Sequence, residues 1–167
     1  MMKKKLEAAL NKQLNAELGS AYLYFSIEAY FISVNLNGFA NWMHIQAQEE
    51  MQHAMKFFDF LNDRNAAVSL PAIPAPKSTW KSPLEAFQDA YKHEQKISKM
   101  INDLMDLATK ENDHASRTFL QWFVEEQVEE EATALGIVEQ IKLAGGSSGA
   151  LFILDRELGQ RTLGPAE

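Results

Sequence analysis

An all-α bundle of four long helices closed by a short fifth is what this sequence predicts, and three observations predict it. Four segments of helix length run without an internal proline and with few glycines. Short turns rich in asparagine and glycine join them in pairs. One stretch with four prolines, NAAVSLPAIPAPKSTWKSP, separates the pairs.

The first helix is expected over about 5–34, ending at NLNG, where Asn37 and Gly38 are suited to positive φ. The second covers about 39–65, the third about 83–111, and the fourth about 113–144, stopped by AGGSSG. Because the turns at Asn35 to Gly38 and around Asn112 are short, helices one and two should form an antiparallel pair, as should three and four. The crossover, about 65–82, can reach about 60 Å if extended, more than the length of a helix of about 27 residues, so helices two and three can run parallel. A short fifth helix is expected over about 148–160, within GALFILDRELGQR. With 167 residues, 46% of them hydrophobic, residues 1–167 suit one domain with a sizeable core.

Charge and composition narrow the function. Asp plus Glu number 23 against 16 Lys plus Arg, a formal charge of -7, so the surface should repel nucleic acid and anionic lipid and attract cations. No cysteine is present, which excludes disulfides and thiolate metal sites and leaves oxygen and imidazole ligands. The basic start, Lys3 to Lys5, reads as a solvated helix beginning rather than a signal segment, and no apolar run is long enough to span a membrane. A cytoplasmic protein is expected.

Residues spaced alternately three and four apart on each helix form the stripe that faces a bundle core. Helix one gives Leu6, Leu10, Gln13, Glu17, Ser20, Tyr24, Ile27 and Phe31. Helix two gives Phe39, Met43, Gln46, Glu50, His53, Phe57 and Phe60. Helix three gives Leu84, Phe87, Tyr91, Glu94, Ser98, Ile101, Met105 and Ala108, and helix four gives Leu120, Phe123, Gln127, Glu130, Ala134, Ile137 and Ile141. Every stripe is apolar at its ends and polar in its middle, at about 16 to 22 Å from the helix start. Glu17, Glu50, His53, Glu94, Gln127 and Glu130 should therefore converge. Buried carboxylates cannot gather without positive charge, and no Lys or Arg lies on these stripes. Two divalent cations would balance four carboxylates, and carboxylates with one imidazole suit Fe, Mn or Zn. The alternative is a set of protonated or solvated glutamates in a wet bundle.

Glu17, then E50-M-Q-H53, then Glu94, then Q127-V-E-E130, on two helical pairs joined by a proline-rich crossover, resembles the ferritin family, especially its prokaryotic non-haem members. The likeness runs through WMHIQAQEEMQH and FLQWFVEEQVEEE and covers essentially the whole chain. It implies a ferritin-like bundle holding a di-iron ferroxidase centre. It further implies oxidation of Fe(II) by dioxygen or hydrogen peroxide, and storage of the ferric mineral in a hollow homo-oligomeric shell of about 24 subunits. By position, Glu17, Glu50 and His53 would hold the first iron, with Glu50 bridging; Glu50, Glu94 and Glu130 would hold the second, with Gln127 close by. Tyr24 stands where the family places a tyrosine beside the metals, with plain core packing as its alternative.

Neighbouring readings separate by residues. Bacterioferritins and many di-iron oxidases carry a second E-x-x-H, whereas helix four offers Q127-V-E-E130. Met51 stands where bacterioferritins place a haem-ligating methionine, yet helix-surface packing is the favoured role and haem is not expected. Mini-ferritins that coat DNA usually have a basic tail and share a site between subunits, which the charge of -7 opposes. An acidic bundle that buffers Mg or Ca is a rival from another class, weakened by His53, since those ions prefer all-oxygen sites. His44, His93 and His114 read as surface or capping histidines, and Trp122 as packing.

The run EEQVEEE, Glu125 to Glu131, exceeds what two stripe positions require. On a helical wheel Glu126 lies about 70° from the core direction and Glu129 about 130° the same way, while Glu125 is nearly opposite. Glu125 and Glu131 are thus expected to be solvated or ion-paired. Glu49 is about 70° off its own stripe, so Glu49, Glu126 and Glu129 could gather with an outer oxygen of Glu130 as a third, weaker cation site. Prokaryotic ferritins with a similar run have such a site; a hydrated acidic strip is the alternative. Finally, Tyr22, Phe25, Ala29 and Ile32 form a second apolar stripe on helix one, roughly 150° from the first, which predicts a homo-oligomer.

Overall fold

The computed structural model describes residues 2–164; Met1 and residues 165–167, the ends of the expected 1–167 domain, lie outside it. The described residues form five helices and no strand: α1 (Lys4–Ser33), α2 (Asn37–Asp63), α3 (Pro83–Lys110), α4 (His114–Ala144) and α5 (Ser148–Leu158). α1 packs along α2 and α3 along α4, and α1 and α3 join the pairs.

Two apolar clusters give the directions. One unites the second half of α1 with the first halves of α2 and α3, the second half of α4 and α5. The other unites the first half of α1, the second halves of α2 and α3 and the first half of α4. Hence α2 and α3 run parallel, as the crossover allows. The polar layer lies between the clusters.

Local chemistry sets the boundaries. α3 begins with Ser82 accepting from the Glu85 N–H at 3.2 Å, with Pro83 at the first helical position, while Glu85 accepts from the Lys81 N–H at 2.6 Å. α4 begins with Asp113 accepting from the Ser116 N–H at 2.9 Å, and the same carboxylate takes two bonds, 2.9 and 2.8 Å, from Arg64 at the end of α2. α4 ends at Gly145, φ 55°, followed by Gly146, φ 80°. The turn between α1 and α2 departs from expectation. Asn35 takes the positive φ, 60°, whereas Asn37 and Gly38 already lie in α2. Gly38 serves another purpose: a Cβ there would stand 1.6 Å from the Asp155 carbonyl oxygen of α5. The Asp155 carboxylate accepts from the N–H groups of Gly38 and Phe39 at 2.8 and 3.0 Å, so α5 caps α2 from across the fold.

The crossover lies along α1. Asn11 donates to the Ala67 carbonyl at 2.8 Å and accepts from the Ser69 N–H at 2.7 Å. Asn15 donates to Ser69 at 2.8 Å, and Ser26 to Lys77 at 2.7 Å.

The core stripes of α1 and α4 are buried throughout, as expected. On α2 and α3 the ends drift: Phe60, Leu84, Tyr91 and Met105 are only half-buried, while Leu61 and Leu104 are buried. A 3-4 alternation averages 3.5 residues per turn against the helix's 3.6, so a rigid template slips by about 20° per seven residues.

If the close approach at Gly38 holds α5 in place, Gly38→Ala must push it away. The expected loss is about 1–3 kcal/mol of unfolding free energy, whereas Gly136→Ala, with nothing within 4 Å of the added carbon, should be neutral or stabilising. Denaturant unfolding of both variants, with hydrogen exchange of the α5 amides, checks the pair.

Candidate metal centre

The polar middle of the four stripes forms one continuous layer. Glu17, Glu50, His53, Glu94, Gln127 and Glu130 are all buried, together with Gln13, Ser20, Gln46 and Ser98. Each sits about three to five turns into its helix, and antiparallel pairing brings these depths together.

Ligand atoms of Glu17, Glu50 and His53 come within 4.8 Å of one another, and a second such group joins His53, Glu126 and Glu130. His53 Nδ1 is 3.5 Å from a Glu50 oxygen, and its ring is fixed edge-on against Trp122 and Phe123, with centroids 5.3 and 5.9 Å away. Trp122 thus packs, as read from the sequence, and what it packs is the one imidazole of the layer.

Amides hold the carboxylates. Gln13 donates to Glu17 at 2.7 Å, and Gln46 donates to Glu50 at 3.2 Å and to Glu130 at 2.7 Å. Gln127 donates to Glu94 at 3.1 Å and also approaches Ser98 Oγ at 3.2 Å. The Tyr24 hydroxyl donates to Glu94, so this tyrosine is joined to the layer by more than packing. One Glu17 oxygen, Oε2, is buried with no hydrogen-bond partner. A desolvated carboxylate oxygen without a hydrogen-bond donor, beside a second carboxyl, is a position where a cation is favoured.

The electrostatics agree. Burial holds the carboxyls of Glu17, Glu50 and Glu130 well above the usual carboxylate range, and their mutual repulsion and that of Glu94 add to it. Glu94 is raised by burial, against the hydrogen bonds from Tyr24 and Gln127. Tyr24 is itself pushed well up by burial and by Glu94. Beside them, His93 bridges α1 and α3, its Nε2 2.7 Å from Ser20 Oγ, and burial pushes it down to about 4, so it is neutral at pH 7. His93 is thus neither a surface nor a capping histidine: next to Glu94 in the chain, it is packed against Tyr24, ring centroids 6.1 Å apart.

The remaining acids separate. Glu49, Glu126 and Glu129 line one cavity of about 260 Å³ with Gln52, His53 and Lys56. Glu126 reaches His53 and Glu130, whereas Glu49 is ion-paired with Arg161 of the segment after α5. That pairing carried no signal in the sequence, because GQRTLG has neither periodicity nor motif. Glu125 is exposed and accepts from Gln121 at 2.8 Å, as expected. Glu131 is half-buried. Met51 is exposed on α2, away from the layer. His44 is paired with Glu28 at 3.2 Å, and His114 is exposed at the start of α4.

A family model described as a ferritin-like domain matches residues 7–144. The bacterial non-heme ferritin of Bacteroides fragilis (strain 638R) is 44% identical over 161 residues, 96% of this chain and 100% of that protein. The one of Staphylococcus saprophyticus is 38% identical over 167 residues, the full length of both. Among solved structures, an open-pore ferritin from the hyperthermophilic archaeon Archaeoglobus fulgidus superposes with a TM-score of 0.96 at 51% identity, over 97% of this chain and 100% of that one. A humanized archaeal ferritin gives 0.98 at 50% identity, over 99% and 100%.

A pH dependence follows from the buried acids. Each binds its proton more tightly folded than unfolded, so the metal-free fold carries no ionisation penalty at or below the ordinary carboxylate pKa and loses stability as pH rises above it. A bound cation removes that penalty and displaces the protons. Stabilisation by Zn(II), read as a shift of unfolding midpoint, should therefore be larger at about pH 7.5 than at about pH 5.5. Proton release, measured calorimetrically in buffers of different ionisation enthalpy, should accompany binding.

Proposed function

This chain belongs to the ferritin family as a prokaryotic non-haem member, a family whose function is iron storage, and on that premise we propose that it oxidises Fe(II) to Fe(III) within each subunit and stores the product as ferric mineral inside a hollow homo-oligomer. The observation that carries this reading is the buried layer of four glutamates and one histidine without a lysine or arginine among them.

Iron is the substrate. Glu17, Glu50 and His53 bind one Fe(II), and Glu50, Glu94 and Glu130 a second, with Glu50 shared and Gln127 close by. Two Fe(II) supply the two electrons that reduce dioxygen to hydrogen peroxide, or peroxide to water. Because anionic oxygen ligands favour the more highly charged ion, the donor set gives the oxidation its direction. Gln13, Gln46 and Gln127 orient the carboxylates, and the Tyr24 hydroxyl, hydrogen-bonded to Glu94, is placed to pass a proton or an electron to the site. Glu126, within reach of His53 and Glu130, forms with Glu49 and Glu129 a third and weaker site through which iron passes toward the mineral. The acidic charge fits a cytoplasmic cation store, and among the described residues no helix is long and apolar enough to cross a membrane.

Assembly is supported by α1. Tyr22, Phe25 and Ile32 are 48, 43 and 54% exposed, and Ala29 is exposed with them, forming an apolar strip that a second copy would cover. We expect the shell of about 24 subunits that the family resemblance implies.

Two measurements test this. Glu50→Ala, removing the shared ligand, should slow dioxygen uptake after anaerobic Fe(II) loading by about 100-fold or more, and Glu94→Ala by less, with helical circular dichroism retained. Wild-type uptake by Glu50→Ala, or no uptake by the wild type, would leave a cation-binding bundle without redox chemistry. Multi-angle light scattering should report a large assembly rather than the 18.9 kDa protomer, and Phe25→Glu should lower its mass.

A further inference from the structure

After α5 the chain turns back along α2. Asp155 caps α2 at Gly38 and Phe39, and Asn41 Nδ2 donates to the Arg161 carbonyl at 3.0 Å. The Arg161 guanidinium lies over the Trp42 ring, 4.3 Å from its centroid, donates to the Trp42 carbonyl at 3.3 Å and pairs with Glu49. Gly164 then reaches the wall of the cavity shared by Glu49, His53, Glu126 and Glu129. The segment thus follows α2 for about 16 Å, the rise from residue 38 to residue 49.

Arg161 is therefore held by Trp42 and Asn41 whether or not Glu49 answers it. A side chain already ordered by other contacts loses little entropy in forming its ion pair. It also sets a positive charge on one of the three acids that would receive a third iron. Glu49 is half-buried, and the Arg161 guanidinium is the cation that faces its carboxylate. A divalent cation drawn to Glu126 and Glu129 meets Arg161 as a like charge across the same carboxylate, so the two cannot both be satisfied by Glu49. Lys56, on the cavity wall with its ammonium 4.2 Å from the Trp122 centroid, adds a second cation to the same opening.

We propose that Arg161 is a resident counter-cation of the third site, a tethered competitor that occupies Glu49 in the resting protein and is displaced when a third metal ion binds. This rests on the third-site reading above. It makes the site weaker than its three carboxylates imply, so that iron lingers there only when the two inner positions are filled. Linkage requires the converse: a third ion must loosen the segment around Arg161.

The test is calorimetric titration of the full-length protein with Zn(II), a redox-inert probe suited to carboxylate and imidazole, with anomalous diffraction at the zinc edge to locate the ions. Arg161→Gln should tighten the third, weakest class of Zn(II) by about two- to fivefold, the range an exposed-to-half-buried ion pair can supply, and leave the two tighter classes unchanged. Arg161→Lys should restore the weak binding. In a Glu49→Gln background, Arg161→Gln should have no effect, which separates charge competition from mere unblocking of the cavity. In the wild type, amide exchange at 159–164 should rise as the third equivalent binds. An unchanged third class in Arg161→Gln, or the same gain without Glu49, overturns the competitor while the third site stands. No third zinc near Glu126 in either protein overturns both.

Discussion

Four carboxyls buried in one layer between two apolar clusters are the constraint on which the rest of this structure depends. Placed there as bare anions they would oppose folding by several kcal/mol each. The chain meets the problem with neutral donors. Gln13, Gln46, Gln127 and Tyr24 each point N–H or O–H at a glutamate, which orients the oxygens without cancelling their charge. The remaining imbalance appears as raised carboxyl pKa values and as the partnerless Oε2 of Glu17. A layer whose carboxyls are oriented by neutral donors but not balanced in charge is suited to cations.

That constraint also accounts for the two clusters. The aromatic groups at one end, Phe31, Phe39 and Phe87, and at the other, Phe57, Phe119 and Phe123, sit with ring centroids 4.4 to 5.8 Å apart. Such packing above and below fixes the axial register of the helices, and hence the depth at which each glutamate enters the layer. The outer caps act on the same register. Arg64 ties the end of α2 to the start of α4 through Asp113, whose carboxyl is held far below the usual range by that guanidinium. This pair is half-buried at the end of the bundle, and its role is to align α2 with α4.

Most of this was legible in the sequence because it repeats. Helix lengths follow from where proline and glycine fall and the parallel α2 and α3 from the reach of the crossover, while the membership of the acidic layer follows from stripes sampled four times over, and a periodic signal tolerates local error. What was not legible is unique and nonlocal. Asn35, Asn37 and Gly38 are each fit for a left-handed turn, and only the arrival of Asp155, 117 residues on, reserves Gly38 for a close approach. Asn11, Asn15 and Ser26 read as ordinary polar positions on α1 until the crossover is laid beside them. His93 lies off the core stripe and reads as a surface or capping histidine, yet its ring bridges α1 and α3.

The distribution of positive charge carries the argument one step further. Among the described residues no lysine or arginine is buried within the layer, while at its edge Arg161 pairs with Glu49 and Lys56 lies over Trp122. A side-chain cation inside would neutralise the site permanently and close it to metal; at the rim it can be displaced, because its partner is half-exposed and water can take over either charge. The interior therefore waits for mobile cations, and the rim is held by tethered ones. Cation affinity would then fall from the buried Glu50 outward to Glu49, adjacent residues on one helix with opposite surroundings. A single helical step thus separates a carboxylate buried among other acids from one guarded by a guanidinium.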